Sequence, residues 1–149
     1  MMTRATNTLP VVLLLAVCLC GCATPPTDIN YRCVLPKTAS VGADPDLATA
    51  FANELAASAR LKVLSQTRLK GKVSNDVTYI VSLKSSASPG VFVNVLFNQP
   101  YRTVAVTIAG DIQNPEAGLV AQRAVKVFSA MFPGSRLAPF SGNQSLFGP

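Results

Sequence analysis

Alternating apolar and polar residues in the middle of the chain predict β-strands. The pattern is clearest in residues 77–84, where every second residue is apolar and the residues between them are mostly polar. A period of two is typical of a strand with one face buried and the other in water. Comparable runs predict further strands at 31–35, 61–69, 91–97 and 102–112. Turn residues at 89–90 and 98–100 separate the later strands, which favours an antiparallel meander.

A first helix is predicted after residue 44. Asp44 can accept hydrogen bonds from the free backbone amides of the first turn, and Pro45 fits the first helical position. Leu47, Phe51 and Leu55 then recur at four-residue spacing, and the alanines between them widen the apolar stripe. We therefore expect this helix to pack one side against the sheet.

A second helix is predicted after Asn114 for the same reasons. Asn114 is a preferred capping residue, Pro115 follows at the first position, and Glu116 lies near the positive end of the helix. The inward stripe is expected to comprise Val120, Ala124, Phe128 and Phe132. Two helices with one apolar side each predict an α+β fold: an antiparallel sheet of four or five strands with both helices packed on one face as a two-layer sandwich.

The first 21 residues have the pattern of a bacterial export signal. Arg4 is the single charged residue before an uncharged, largely apolar run from Leu9 to Gly21. This run is 13 residues long, whereas a membrane-spanning helix needs roughly 20 apolar residues. The segment is therefore expected to be a cleaved signal peptide and not a permanent transmembrane span.

The end of this run resembles the lipobox of bacterial lipoprotein precursors. Leu19, Cys20, Gly21 and Cys22 stand where that motif has leucine, a small residue, glycine and the acceptor cysteine. The resemblance implies cleavage by signal peptidase II between Gly21 and Cys22, and lipidation of Cys22 with acyl chains such as palmitate. Each buried methylene contributes about 0.8 kcal/mol, so several chains anchor a protein firmly. Ala23 at the next position implies the outer membrane, with the domain in the periplasm; the inner membrane or the cell surface is the alternative.

Composition narrows the chemistry that the chain can perform. The 149 residues include 13 Lys and Arg, 7 Asp and Glu, 4 Cys and no His, for a formal charge of +6. Without histidine the chain lacks Ser-His-Asp and Cys-His catalytic sites and His-containing zinc sites. Scattered carboxylates offer no paired acid–base site. We therefore expect a non-enzymatic protein without metal or cofactor, in which Cys33 is a buried thiol or, alternatively, pairs between chains.

An acid-free stretch between residues 55 and 75 carries five basic residues. They are Arg60, Lys62, Arg68, Lys70 and Lys72. We predict that they share one edge of the domain as an anion-binding patch, for which the nearest anions at a membrane are lipid head groups and lipopolysaccharide. The alternative is a solvated face whose charges only keep an apolar domain soluble. Nucleic acid is not expected as a partner, because no stacking aromatic residues interleave with these charges.

The order of elements resembles that of small envelope-accessory lipoproteins, among them the lipopolysaccharide-assembly lipoproteins. The helix-then-strand phrase from Leu55 to Leu64 is similar to one in curli-secretion and penicillin-binding-protein-activator lipoproteins. The resemblance implies an accessory or binding subunit in envelope assembly, transport or secretion, with an envelope protein or an anionic glycolipid as partner. A structural lipoprotein that contacts peptidoglycan or another lipoprotein is the alternative. The predicted organisation is a signal peptide at 1–21, a lipidated cysteine and tether at 22–30, an α+β domain at 31–134, and a flexible or docking tail at 135–149.

Overall fold

A computed structural model of the chain describes residues 28–36, 46–71, 77–87, 90–109 and 114–140. In chain order the elements are β1 (Asp28–Val34), α1 (Asp46–Ala59), β2 (Leu61–Lys70), β3 (Val77–Ser85), β4 (Phe92–Asn98), β5 (Thr103–Ala109), α2 (Pro115–Met131) and β6 (Ala138–Pro139). Neither helix in these ranges has the combination of length and apolar character that crossing a membrane requires.

The strands form one antiparallel sheet in the order β2, β3, β4, β5, β1, β6. Strands β2 to β5 follow one another as a meander, as the alternating pattern predicts, and β1 pairs with β5. The predicted α+β class, with an antiparallel sheet and two helices, is confirmed. The predicted count of four or five strands is too low, because the described residues contain six.

The additional strand, β6, comes from the segment predicted as the tail. It pairs with Tyr31 and Arg32 of β1. Just before it, Leu137 is only 1% exposed and belongs to the apolar core. A two-residue strand that ends in Pro139 has no periodic pattern, and a proline is tolerated there because an edge strand does not need all of its backbone donors. Residues 135–140 are therefore part of the folded domain, and residues 141–149 lie outside the described ranges.

Both helices pack on the same face of the sheet. Their buried residues and the inward residues of β1, β3, β4 and β5 form one apolar cluster. Phe51 of α1 and Phe128 of α2 are fully buried, and their rings meet edge to face, with centroids 5.6 Å apart and planes at 86°. This geometry is favourable for aromatic pairs and joins the two helices over the sheet. Within the described ranges, the opposite face of the sheet carries no helix.

The start of α2 is as predicted. The side-chain oxygen of Asn114 accepts a hydrogen bond from the backbone amide of Glu116 at 3.0 Å, and Pro115 is the first helical residue. The Glu116 carboxylate also accepts a hydrogen bond from the Ser85 hydroxyl at 3.2 Å, which ties the helix to the end of β3. For α1, the predicted cap Asp44 lies outside the described residues.

Candidate functional site

Strand β2 forms one edge of the sheet. It pairs with β3 on one side, and no other described strand pairs with it. Its first residue, Leu61, is buried, whereas every residue from Lys62 to Lys70 is exposed. About half of the residues of an antiparallel strand direct their N–H and C=O groups away from a given neighbour. Strand β2 therefore presents a row of backbone donors and acceptors to its surroundings.

A β-bulge at Leu64 changes the facing of the residues along β2. Before the bulge, Val63 lies opposite Leu83, and after it Ser65 lies opposite Ser82, so Leu64 has no cross-strand partner. One inserted residue exchanges the faces to which odd- and even-numbered residues project. The two halves of β2 consequently send even-numbered side chains to opposite sides of the sheet.

The first two predicted anion-binding residues lie at the start of this edge. Arg60 occupies the turn between α1 and β2, in a left-handed backbone conformation with φ 55°. Lys62 projects from the uncovered face of the sheet, in register with Lys84 of β3. The Lys84 ammonium lies 5.0 Å from the centroid of the Phe92 ring, on the same face. Of the five predicted residues, Lys72 lies outside the described ranges.

The next two, Arg68 and Lys70, project on the helix-covered side near the far end of β2. They are in register with Tyr79 and Val77 of β3. The guanidinium carbon of Arg68 lies 5.9 Å from the centroid of the Tyr79 ring, within the range of cation–π attraction. A guanidinium over a ring can still donate from its N–H groups to a carboxylate or phosphate. The structure thus places four predicted residues along one edge but on two faces.

A shallow cavity of about 270 Å³ opens beside Arg68, between β2, β3 and the start of α1. Its lining consists of Thr49, Gln66, Thr67, Arg68, Tyr79, Ile80 and Val81. None of the described residues in this lining is acidic, and Arg68 supplies a positive charge. The cavity therefore suits a small anionic group, such as a carboxylate, that approaches along the edge of the sheet.

A second cavity, of about 280 Å³, lies between the end of α1 and the start of α2. Its lining includes Arg60 and Arg123 but also the carboxylate of Glu116. This carboxylate accepts the hydrogen bond from Ser85 described above. A cavity of mixed charge is less suited to an anion than the one beside Arg68.

Some polar side chains on the uncovered face of the sheet form hydrogen bonds with one another. The Ser82 hydroxyl donates to the Asn94 side-chain oxygen at 2.8 Å, and the Asn98 side-chain amide donates to the Thr78 hydroxyl at 3.0 Å. Asn98 is only 4% exposed, so its hydrogen bond satisfies a buried amide, and cross-strand pairs of this kind stabilise the sheet. The alternation in the sequence indicated a polar face but not these pairings.

No metal or nucleophile site is evident among the described residues. They contain no cluster of three or more His, Cys, Asp or Glu side chains that could hold a metal ion. Cys33 is a buried free thiol. Burial raises the pKa of this thiol, against a smaller opposite effect from a backbone hydrogen bond involving Arg136. A thiol that keeps its proton is a poor nucleophile. The predicted cleavage and lipidation residues, Gly21 and Cys22, lie outside the described ranges.

Comparison with known proteins gives no family for this chain. No protein-family model matches it, and the search of curated proteins also finds no match. The interpretation of the site therefore depends on the geometry of β2 and the residues around it.

Proposed function

We propose that the protein is a non-enzymatic, lipid-anchored subunit of the outer membrane that binds a partner in cell-envelope assembly, transport or secretion. The observation that carries the proposal is the exposed edge strand β2, which combines available backbone groups with the basic side chains of Lys62, Arg68 and Lys70. A long exposed strand is a hazard for a monomer unless it is protected or has a partner. On β2 the bulge at Leu64 and the basic side chains hinder pairing with a second copy and leave the edge to a partner of complementary charge.

The anchor in this proposal rests on the lipobox resemblance at Leu19 to Cys22. Strand β1 begins at Asp28, so only the five residues 23–27 separate the lipidated cysteine from the sheet. Five residues span at most about 18 Å when fully extended. The domain is therefore held close to the membrane surface, where envelope proteins and lipopolysaccharide are concentrated.

The alternative of a structural lipoprotein that contacts peptidoglycan through its tail receives less support. Leu137 and β6 engage the first residues of that tail in the fold of the domain itself. This leaves residues 141–149 for such a contact. The binding surface suggested by β2 lies at the opposite edge of the sheet from β6.

Metabolic labelling tests the anchor. The full chain is expressed in a Gram-negative host with a labelled fatty acid, together with Cys22→Ser and the control Cys20→Ser. Wild type and Cys20→Ser should carry label and fractionate with the outer membrane, because only Cys22 occupies the acceptor position. Cys22→Ser should lose the label and accumulate as a longer precursor. Equal labelling of all three chains, or label in none, would contradict the proposal.

A further inference from the structure

We propose that β2 is a docking edge for an extended, acidic segment of a partner protein, which adds to the sheet as a further strand. This inference rests on the proposed function and specifies its partner. In strand addition, main-chain hydrogen bonds provide affinity and alternate side chains provide specificity. Strand β2 offers both, because its backbone edge is exposed and its side chains divide between two faces.

The exposed side chains of β2 favour a peptide over a lipid surface. Basic residues are interspersed with apolar ones, of which Val63, Leu64 and Leu69 are 41%, 55% and 51% exposed. The outward N–H and C=O groups of an edge strand alternate at regular spacing along the strand. A neighbouring backbone matches the spacing of both the N–H and the C=O groups along the edge, whereas lipid head groups have no such fixed spacing. A strand lying beside β2 also meets the basic side chains on either face of the sheet.

The order Arg68, Leu69, Lys70 defines what that strand should contain. Arg68 and Lys70 project on the helix-covered side, and Leu69 projects on the other side. Residues directly opposite one another in paired strands share a face. The complementary segment is therefore acidic, apolar, acidic, with one carboxylate placed at the cavity beside Arg68. Because this pattern is symmetric, it fits a parallel or an antiparallel strand.

The chain itself does not supply this segment. Among its 7 acidic residues, only Asp44 and Asp46 are two positions apart, with Pro45 between them. Asp46 is the first residue of α1, and Pro45 lacks the backbone donor that a strand needs. A second copy pairing through β2 is disfavoured as well, since this strand carries Lys and Arg and no acid, and like charges opposite one another destabilise a pair. The occupant is thus a different molecule.

Three synthetic peptides test the proposal against the full chain purified in a non-ionic detergent. The first alternates valine with polar residues and places two glutamates two positions apart. The second replaces both glutamates with lysine. The third keeps the glutamates but has every backbone amide methylated, which preserves its charge and removes its hydrogen-bond donors. Vesicles of anionic phospholipid without peptide are the fourth probe. Affinity is measured by fluorescence anisotropy for the peptides and by co-sedimentation for the vesicles.

Only the first peptide should bind, and it should slow amide hydrogen exchange in residues 62–70 but not in α2. The double variant Arg68→Glu with Lys70→Glu should weaken its binding by about tenfold or more, because two favourable cross-strand pairs become repulsive. The control Arg123→Glu with Lys126→Glu makes the same charge change at exposed positions of α2 and should leave binding unchanged. Far-ultraviolet circular dichroism checks that both variants fold.

Other results overturn the inference. Equal binding of the methylated peptide would mean charge attraction without strand addition. Vesicle binding that depends on Arg68 and Lys70, without peptide binding, would assign the edge to lipid. Absence of all binding would leave β2 as a protected edge only. None of these results affects the labelling of Cys22, so the inference can fail while the proposed lipid anchor stands, and loss of labelling leaves peptide binding by β2 intact.

Discussion

Replacing Leu137 with alanine tests whether the segment after α2 belongs to the core. Leu137 is 1% exposed and packs within the same apolar cluster as the two helices. Leucine-to-alanine substitutions in cores cost about 2–5 kcal/mol, because burial is lost and a cavity remains. Leu137 lies beside a two-residue edge strand, where the chain can partly collapse into the space. We therefore expect a loss of about 2–3 kcal/mol, near the lower end of that range.

The assay is urea unfolding of the full chain in non-ionic detergent, followed by circular dichroism. The matched control is Leu119→Ala, since Leu119 is 59% exposed on α2 and surface substitutions change stability by less than about 0.5 kcal/mol. In thermal unfolding the Leu137 variant should melt roughly 8–15 °C lower, at about 4–5 °C per kcal/mol for a domain of this size. Equal stability of the two variants would refute the assignment of Leu137 to the core.

Two further substitutions and one deletion test separate features. Asn114→Ala should cost about 1 kcal/mol in urea unfolding, because the amide of Glu116 loses its cap; an unchanged midpoint would contradict the cap. Burial raises the pKa of Cys33, so above about pH 8.5 the unfolded chain releases a proton that the folded state keeps. The free energy of unfolding should therefore fall as the pH rises above that value. Cys33→Ala should reduce this fall, and an identical pH profile of stability would exclude the effect. Deleting Leu64 should preserve the pairing of Ser65 with Ser82 and remove the bulge. The straighter edge should increase self-association, which analytical sedimentation measures. A chain that fails to fold would contradict the assignment of Leu64 to a bulge.

The sequence predicted most of the fold because its signals are local. Asn114, Pro115 and Glu116 specify the start of α2 through capping chemistry that involves only neighbouring residues. Period-two alternation located the meander strands to within a few residues. Strand β6 was not predicted, because its position depends on a long-range contact, the burial of Leu137 in the apolar core. A local sequence pattern does not indicate such a contact. Pro139 further disguises it, since proline usually argues against a strand.

The candidate site was predicted in part. A run of basic residues was visible, and the structure places Arg60, Lys62, Arg68 and Lys70 along one edge. Their faces were not predictable, because strict alternation would put Lys62, Arg68 and Lys70 on the same face. The bulge at Leu64 separates them, and nothing in the local sequence marks a bulge that contains no glycine. The cation–π contact of Arg68 with Tyr79 likewise depends on the register with β3.

Photo-crosslinking in intact cells tests most directly whether β2 is the binding surface of a membrane-anchored subunit. A photoreactive amino acid replaces Leu69 on the edge strand or, as the control, the exposed Leu119 of α2. We predict one protein crosslinked from position 69 only, through a peptide that contains an acidic, apolar, acidic sequence. This product should disappear with Arg68→Glu plus Lys70→Glu and with Cys22→Ser. Crosslinking of the same protein from both positions, or a product unaffected by the charge reversal, would contradict this prediction.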